Sequence, residues 1–333
     1  MRRSTSLGLV VALLLAAPAP MLVAQSADAV RLHVAAARAA AGDEHATVFG
    51  LLCTDPGAAP AAQNAPATPQ GPQERSRWHA EPVKVFDNLY FVGQTEFSAW
   101  AVTTSAGIIL VDTIFDYSVE DEVAGGLKTL GLDPAQIKYA IVSHGHGDHV
   151  GGAKYLQDHF GTHVLLSAAD WDLLDRTNGT RPKRDMIATD GQKLTLGDTT
   201  VTLYLTPGHT LGTISTIIPV RDGGVPHVAA VWGGTMFNWL RNRSAYITPD
   251  RPDSFWFENY SRSAERFRGI VSQAGVDVLL SNHTAYDGSK TKLPALAQRR
   301  PNDAHPYVIG NDSVKRFLTM VDECAQAGRA RVK

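Results

Sequence analysis

From Val83 onward the chain is written in short apolar runs of strand length. Leu89-Tyr90-Phe91-Val92, Trp100-Ala101-Val102-Thr103 and Ile108-Ile109-Leu110-Val111 are separated by Gly93 and by the turn Ser105-Ala106-Gly107, the punctuation expected of hairpin loops. The opening therefore predicts an antiparallel meander. Ser118 to Leu130 switches to helical spacing and stops at Gly131, and Ile137 to Val142 returns to a largely apolar strand. Beyond it the pattern predicts a helix over 150–160, a strand over 163–166 and a helix over 169–176. A loop containing Asn178-Gly179 and Arg181-Pro182 follows. Leu194 to Leu196 and Val201 to Leu205 predict a hairpin, and strands over 213–220 and 227–232 come next. A long helix over 253–274, an apolar strand over 276–280 and a last helix over 312–327 complete the chain. A run of strands followed by helix is met twice, with no short internal repeat. That order predicts two sheets packed face to face with helices outside.

Composition changes this picture mainly at the N-terminus. With 333 residues, 44% of them hydrophobic and 19% charged, the chain has material for one large domain or two small ones. A formal net charge of -2 offers no basic footprint for nucleic acid. Arg2 and Arg3, the apolar run Leu7 to Ala17 and the small residue Ala24 form the layout of a secretory signal cleaved near Ala24, too short to span a bilayer. A retained hydrophobic helix is the alternative. Cleavage predicts a periplasmic or secreted protein with no membrane association afterwards. Asp28 to Ala41 is alanine-rich and helical in pattern, and 55–73 is dominated by Ala, Pro, Gln and Gly, the composition of an extended linker. The expected organisation is a signal peptide over 1–24, an N-terminal helical and Pro-rich arm over 25–76 and a catalytic domain over 77–333. Cys53 and Cys324 lie near opposite ends of the mature chain, and export permits a disulfide that ties the arm to the last helix. Two isolated buried thiols are the alternative.

The chemistry concentrates at strand ends. Ser143-His144-Gly145-His146-Gly147-Asp148-His149 follows the 137–142 strand directly, with three imidazoles and a carboxylate separated only by glycines. His209 closes Thr206-Pro207-Gly208-His209 after the 201–205 strand, and His283 closes Ser281-Asn282-His283 after the 276–280 strand. Six donors are enough for two metal ions, since a catalytic zinc takes three protein ligands and leaves a position open. Nitrogen and carboxylate oxygen suit zinc, and manganese and iron take the same donor types. The remaining histidines (His33, His45, His79, His159, His163, His227 and His305) have no partner at ligand spacing and are expected at the surface or as satisfied core residues.

The sequence His-x-His-x-Asp-His, the later Gly-His-Thr turn and the final strand-end histidine resemble the metallo-β-lactamase superfamily from about Arg77 to Cys324. The resemblance implies an α/β chain folded as an αβ/βα four-layer sandwich, with the metal site on one edge of the sheets. In glyoxalase II enzymes, lactonases and RNA-processing nucleases of that superfamily, an aspartate from a Gly-Asp turn bridges the two metals. Here the corresponding stretch, Val231-Trp232-Gly233-Gly234-Thr235-Met236-Phe237, has neither a carboxylate nor a cysteine. The pattern left is that of the subclass B3 β-lactamases. It implies one Zn2+ ion on His144, His146 and His209 and a second on Asp148, His149 and His283. Thr235 falls where that subclass often carries a serine hydroxyl.

The implied activity is opening of the β-lactam ring of antibiotics by a metal-bound hydroxide, with no covalent enzyme intermediate. One ion would polarise the carbonyl, and the other would stabilise the departing nitrogen and hold the substrate carboxylate. Asp148 would orient the hydroxide. Phe97, Trp100, Trp239 and Tyr246 are candidates for a substrate groove, with core aromatics the alternative, and Arg241, Arg243 and Lys290 for gripping a carboxylate, with solvated surface cations the alternative. Two other functions fit the same residues: a dinuclear-zinc hydrolase of a lactone, ester or thioester, and a zinc-binding protein without catalysis.

Overall fold

A computed structural model describes residues 19–53, 74–300 and 303–332, with side chains from residue 26. The apolar run of the expected signal peptide and the linker over 55–73 lie outside the described residues. The first sheet takes β1 (Val83–Phe86), β2 (Leu89–Phe91), β3 (Trp100–Thr104), β4 (Gly107–Val111), β5 (Ile137–Ile141), β6 (His163–Ser167) and β7 (Met186–Ala188), side by side in chain order. β1 to β4 pair antiparallel, as the hairpin turns require, and β4 to β7 pair parallel. The second sheet takes β8 (Lys193–Leu196), β9 (Thr199–Leu205), β10 (Ile214–Asp222), β11 (Val225–Trp232) and β12 (Val278–Ser281), in the order β12-β11-β10-β9-β8.

The helices are α1 (Ala19–Ala41), α2 (Ala46–Leu52), α3 (Gly125–Thr129), α4 (Gly147–Val150), α5 (Ala153–Phe160) and α6 (Ala168–Asp175), then α7 (Asn238–Arg241), α8 (Arg243–Tyr246), α9 (Asp253–Gln273), α10 (Ser289–Ala297) and α11 (Asn311–Arg331). The helix expected over 118–130 is a π-helical turn, Glu120–Ala124, that runs on into α3.

Strand alternation explains why four layers form. In β3 and β4, Trp100, Val102, Ile109 and Val111 point between the sheets, and Ala101, Ile108 and Leu110 point under the helices of the first sheet. In β11 and β12, Ala229, Val231, Val278 and Leu280 face the intersheet core, whereas Ala230, Trp232 and Leu279 face α9 and α11. Both faces of each sheet are therefore apolar, and each must be covered. The αβ/βα sandwich is the arrangement that covers them.

The N-terminal arm is part of that cover. Ala37, Ala41, Val48, Phe49 and Leu52 share one buried cluster with Phe257, Phe317 and Val321 of α9 and α11. His33 Nδ1 lies 2.7 Å from Glu323 Oε2, and His45 Nε2 lies 3.1 Å from the Ser313 carbonyl. Cys53, at the C-terminal end of α2, is bonded to Cys324 of α11. Among the described residues no helix is long and apolar enough to cross a membrane.

The cross-link closes a loop of 271 residues, so it restricts the unfolded chain strongly. Replacing both cysteines by serine should lower the free energy of unfolding by about 2 to 5 kcal/mol, measured by urea titration. An unchanged midpoint would show that packing alone holds the arm.

Candidate metal centre

The six donors come from both sheets and meet at one edge of the sandwich. β5 ends in the 143–149 loop, where His146 is extended and Asp148 and His149 begin the short α4. His209 follows β9 and His283 follows β12. His209 Nε2 lies 3.1 Å from His144 Nε2 and 3.2 Å from His146 Nδ1. Asp148 Oδ2 lies 3.2 Å from His149 Nε2 and 3.6 Å from His283 Nε2. Within each triad the three donor atoms lie within 4.8 Å of one another.

The opposite ring atoms decide what these nitrogens are. His144 Nδ1 is 2.9 Å from the Gly233 carbonyl, and His209 Nδ1 is 2.7 Å from the Met236 carbonyl. A carbonyl only accepts, so both Nδ1 atoms carry the proton and both Nε2 atoms present lone pairs. Two lone pairs facing each other at 3.1 Å, with a third nitrogen beside them, repel unless a cation lies between them. The outer carbonyls are the partners that orient histidine ligands. The residues fit a metal ion.

Charge divides the two triads. Burial pushes His144 and His209 well below the ordinary histidine range, and the neighbouring imidazoles add to it. Burial also brings His146 down to about 4 and His283 to about 3. Burial alone would depress His149, but the carboxylates of Asp148 and Asp112 hold it up to about 10. For Asp148 burial works the other way, and His149 and His283 overcome it, holding the carboxyl well below the usual range. One triad is three neutral imidazoles, and the other is built around carboxylates.

The absent carboxylate has a steric cause. A Cβ at Gly233 would stand 1.8 Å from the Ile214 carbonyl oxygen, and one at Gly234 would stand 2.4 Å from His209 Cβ. Neither position accepts any side chain without moving a strand end or a ligand.

The tentative substrate residues separate. Tyr246 reaches the site, with its hydroxyl 2.7 Å from His146 Nε2. Trp100 does not line a groove: it is fully buried between the sheets and its indole N–H donates to the Ser281 carbonyl at 2.9 Å. Trp239 is likewise buried, in the aromatic core beneath α9. Both are apolar surfaces too large to leave the interior. Thr235 is buried beside Gly234, its carbonyl accepts from the Tyr260 hydroxyl at 2.8 Å, and its own hydroxyl has no partner among the described residues. Phe97 packs on His283, with ring centroids 5.0 Å apart.

Four polar residues at the site were not singled out by sequence. Asp112 ends β4 at a φ of 62°, accepts from the Ser143 N–H at 2.6 Å and hydroxyl at 2.9 Å, and places Oδ2 3.0 Å from His149 Nδ1. Asn282 donates to the Ser143 hydroxyl and to the Gly233 carbonyl. Asn238 Nδ2 lies 3.3 Å from His209 Nε2, and the Tyr286 ring lies 4.8 Å from that of His283. The available signal was a polar residue directly closing an apolar strand, which marks Asp112 and Asn282 and neither of the others.

Residues 97–225 match a family model described as the metallo-β-lactamase superfamily. Over 151 residues the chain is 26% identical to a hydroxyacylglutathione hydrolase of Acidiphilium cryptum, an alignment that covers 45% of this chain and 54% of that protein. The chain spans about half the length of the curated relatives it matches. The subclass B3 metallo-β-lactamase of Bradyrhizobium japonicum superimposes with a TM-score of 0.61 at 24% identity, covering 72% of this chain and 89% of that one. A metallo-β-lactamase of Cronobacter sakazakii gives 0.60 at 26% identity, covering 73% and 91%. The family match stops at residue 225, before Gly233 and His283.

Asp287 closes the loop that carries His283, accepting from the main-chain N–H groups of Ser281 at 2.8 Å and Ser289 at 2.9 Å. Burial outweighs these bonds and pushes its carboxyl from 3.8 up to about 6. The folded protein therefore holds this proton more tightly than the unfolded chain. The stability it contributes is fully present below pH 3.8 and is lost as pH rises through about 6. In chelator, the stability of the wild type relative to Asp287→Asn should fall by about 2 to 3 kcal/mol between pH 4 and pH 7. A constant difference would rule out the raised pKa.

Proposed function

We propose, on the premise that this chain carries a metallo-β-lactamase superfamily domain over residues 97–225, that it is a zinc-dependent hydrolase of the B3 type that opens the β-lactam ring. The observation that carries this reading is the pair of ligand triads, His144-His146-His209 and Asp148-His149-His283, with backbone alone between them at Gly233-Gly234. Two zinc ions, when bound, polarise a carbonyl and lower the pKa of a water to about 7.

The chain's own groups do the positioning. The Gly233 and Met236 carbonyls hold His144 and His209 in the tautomer that presents Nε2. Asp148 engages His149 and His283 through Oδ2, and Oδ1 has no hydrogen-bond partner among the described residues, so it is available to orient the attacking water. Asn238 brings an amide N–H to the first triad, where charge develops on the carbonyl oxygen, and the Tyr246 hydroxyl accepts from His146 Nε2, which turns His146 Nδ1 toward the other two nitrogens. Export belongs to the same reading: a signal over 1–24 is removed, and the arm over 25–76 and the catalytic domain over 77–333 work in the periplasm or outside the cell, where β-lactams act. The disulfide is consistent with that compartment.

The substrate's carboxylate has one free cation among the three considered. Arg243 is fork-bonded to Asp253 at 2.6 and 2.8 Å, and Lys290 is paired with Glu96. Arg241 makes no ion pair among the described residues. Burial raises the Tyr286 hydroxyl to about 12 and the positive charge of Arg241 opposes that rise; the Tyr286 ring lies 4.8 Å from that of His283. Arg241→Ala should raise KM for carboxylate-bearing substrates about fivefold with kcat within about twofold, the worth of one exposed ion pair. An unchanged KM would remove Arg241 from the substrate site.

A second reading, a thioester hydrolase, is favoured by the likeness to hydroxyacylglutathione hydrolases. A substrate panel on zinc-loaded protein separates the two. A chromogenic cephalosporin should be turned over with the higher kcat/KM, and chelator should abolish the activity. Faster hydrolysis of a glutathione thioester or of a neutral lactone would overturn the β-lactamase reading in favour of the other.

A further inference from the structure

Behind the loops of the first triad lies a buried carboxylate with no part in the chemistry above. Asp170 stands in the first turn of α6, and its N–H donates to the hydroxyl of the capping residue Ser167 at 3.2 Å. Asp170 Oδ2 accepts from the Gly145 N–H at 2.9 Å and from the Thr210 hydroxyl at 2.7 Å. Its Oδ1 accepts from the Gly212 N–H at 3.0 Å. Gly145 separates His144 from His146, and Thr210 directly follows His209. One carboxylate thus joins the two loops whose histidines meet at 3.1 and 3.2 Å.

Two further features mark the arrangement as built. Asp170 is buried and makes no ion pair among the described residues, so its charge is held by hydrogen bonds alone, a costly state to retain. The loops also reach it as bare backbone. A Cβ at Gly212 would stand 1.9 Å from Ser167 Oγ and 2.7 Å from Asp170 Oδ1, and one at Gly145 would stand 3.3 Å from the Asp170 carbonyl oxygen. A residue that only capped α6 would need neither approach.

We infer that Asp170 is a positioning residue of the first triad: it fixes the spacing of His144, His146 and His209 and supplies the nearby buried negative charge that three neutral imidazoles lack. This rests on the metal reading of the site. Asp170 bonds no donor atom and acts through the Gly145 and Gly212 N–H groups and the Thr210 hydroxyl of the two loops.

Zinc binding, measured by chelator competition in two backgrounds, tests it. In His283→Ala protein, whose tight ion is the one on the first triad, adding Asp170→Asn should weaken zinc about 10- to 100-fold. In His209→Ala protein, which keeps the second triad, the same change should leave affinity within about threefold, because Asp170 bonds none of Asp148, His149 and His283. Thr210→Val removes the hydroxyl that bonds Asp170 and Thr213 and keeps the charge, so it should weaken the first ion less and again spare the second. Equal losses in both backgrounds would reduce Asp170 to a general support of the fold, and no loss in either would remove it from the site; both overturn the inference. If Asp170→Asn does not fold, Thr210→Val decides by the same comparison. Wild-type protein that binds no zinc would overturn the metal reading itself, an outcome distinct from these.

Discussion

A buried polar network holds the ends of four strands together, and the convergence of the donors depends on it. Asp112, at the end of β4, accepts from the main chain and hydroxyl of Ser143, at the end of β5. Asn282, after β12, donates to the Ser143 hydroxyl at 3.1 Å and to the Gly233 carbonyl, after β11, at 2.8 Å. That carbonyl also takes the His144 N–H. β4 and β5 belong to one sheet and β11 and β12 to the other, so the contacts cross the intersheet gap. Packed apolar faces would tolerate some sliding of one sheet on the other. Hydrogen bonds that must all be satisfied in a dry interior do not, and the donors are carried by the same loops.

The repeating features of the fold were legible in the sequence, and its single contacts were not. Strand alternation, the long helices and the histidines closing three strands all carry a period or a position that chemistry explains. The short β7, α7 and α8 have no such signal, and α10 carries Pro294 inside it, which argues against a helix until its neighbours are seen. At the site, the six donors were legible as a set because a dense cluster of imidazoles has few other uses. Asp112, Asp170 and Asn282 are ordinary polar residues one at a time, and only the fold brings them behind the ligands. Trp100 and Trp239 are the converse case: an aromatic in sequence fits a groove and a core equally, and here the interior claims its surface.

The N-terminal arm has a structural role that composition alone understated. α1 and α2 add apolar surface to the α9–α11 layer, and the disulfide fastens that layer at the far end of the chain. This layer backs β11 and β12, whose ends carry Gly233, Gly234 and His283. Bracing it therefore supports the part of the site that lies beyond residue 225, Gly233, Gly234 and His283, although no arm residue is among the six donors.

The two triads divide the electrostatic work unequally. Three neutral imidazoles leave the charge of a bound dication nearly whole, with carbonyl oxygens and the Tyr246 hydroxyl behind them. The second triad offsets part of that charge with Asp148 and places Asp112 behind His149. A bound dication would therefore polarise most strongly on the His144-His146-His209 side, where Asn238 brings an amide N–H.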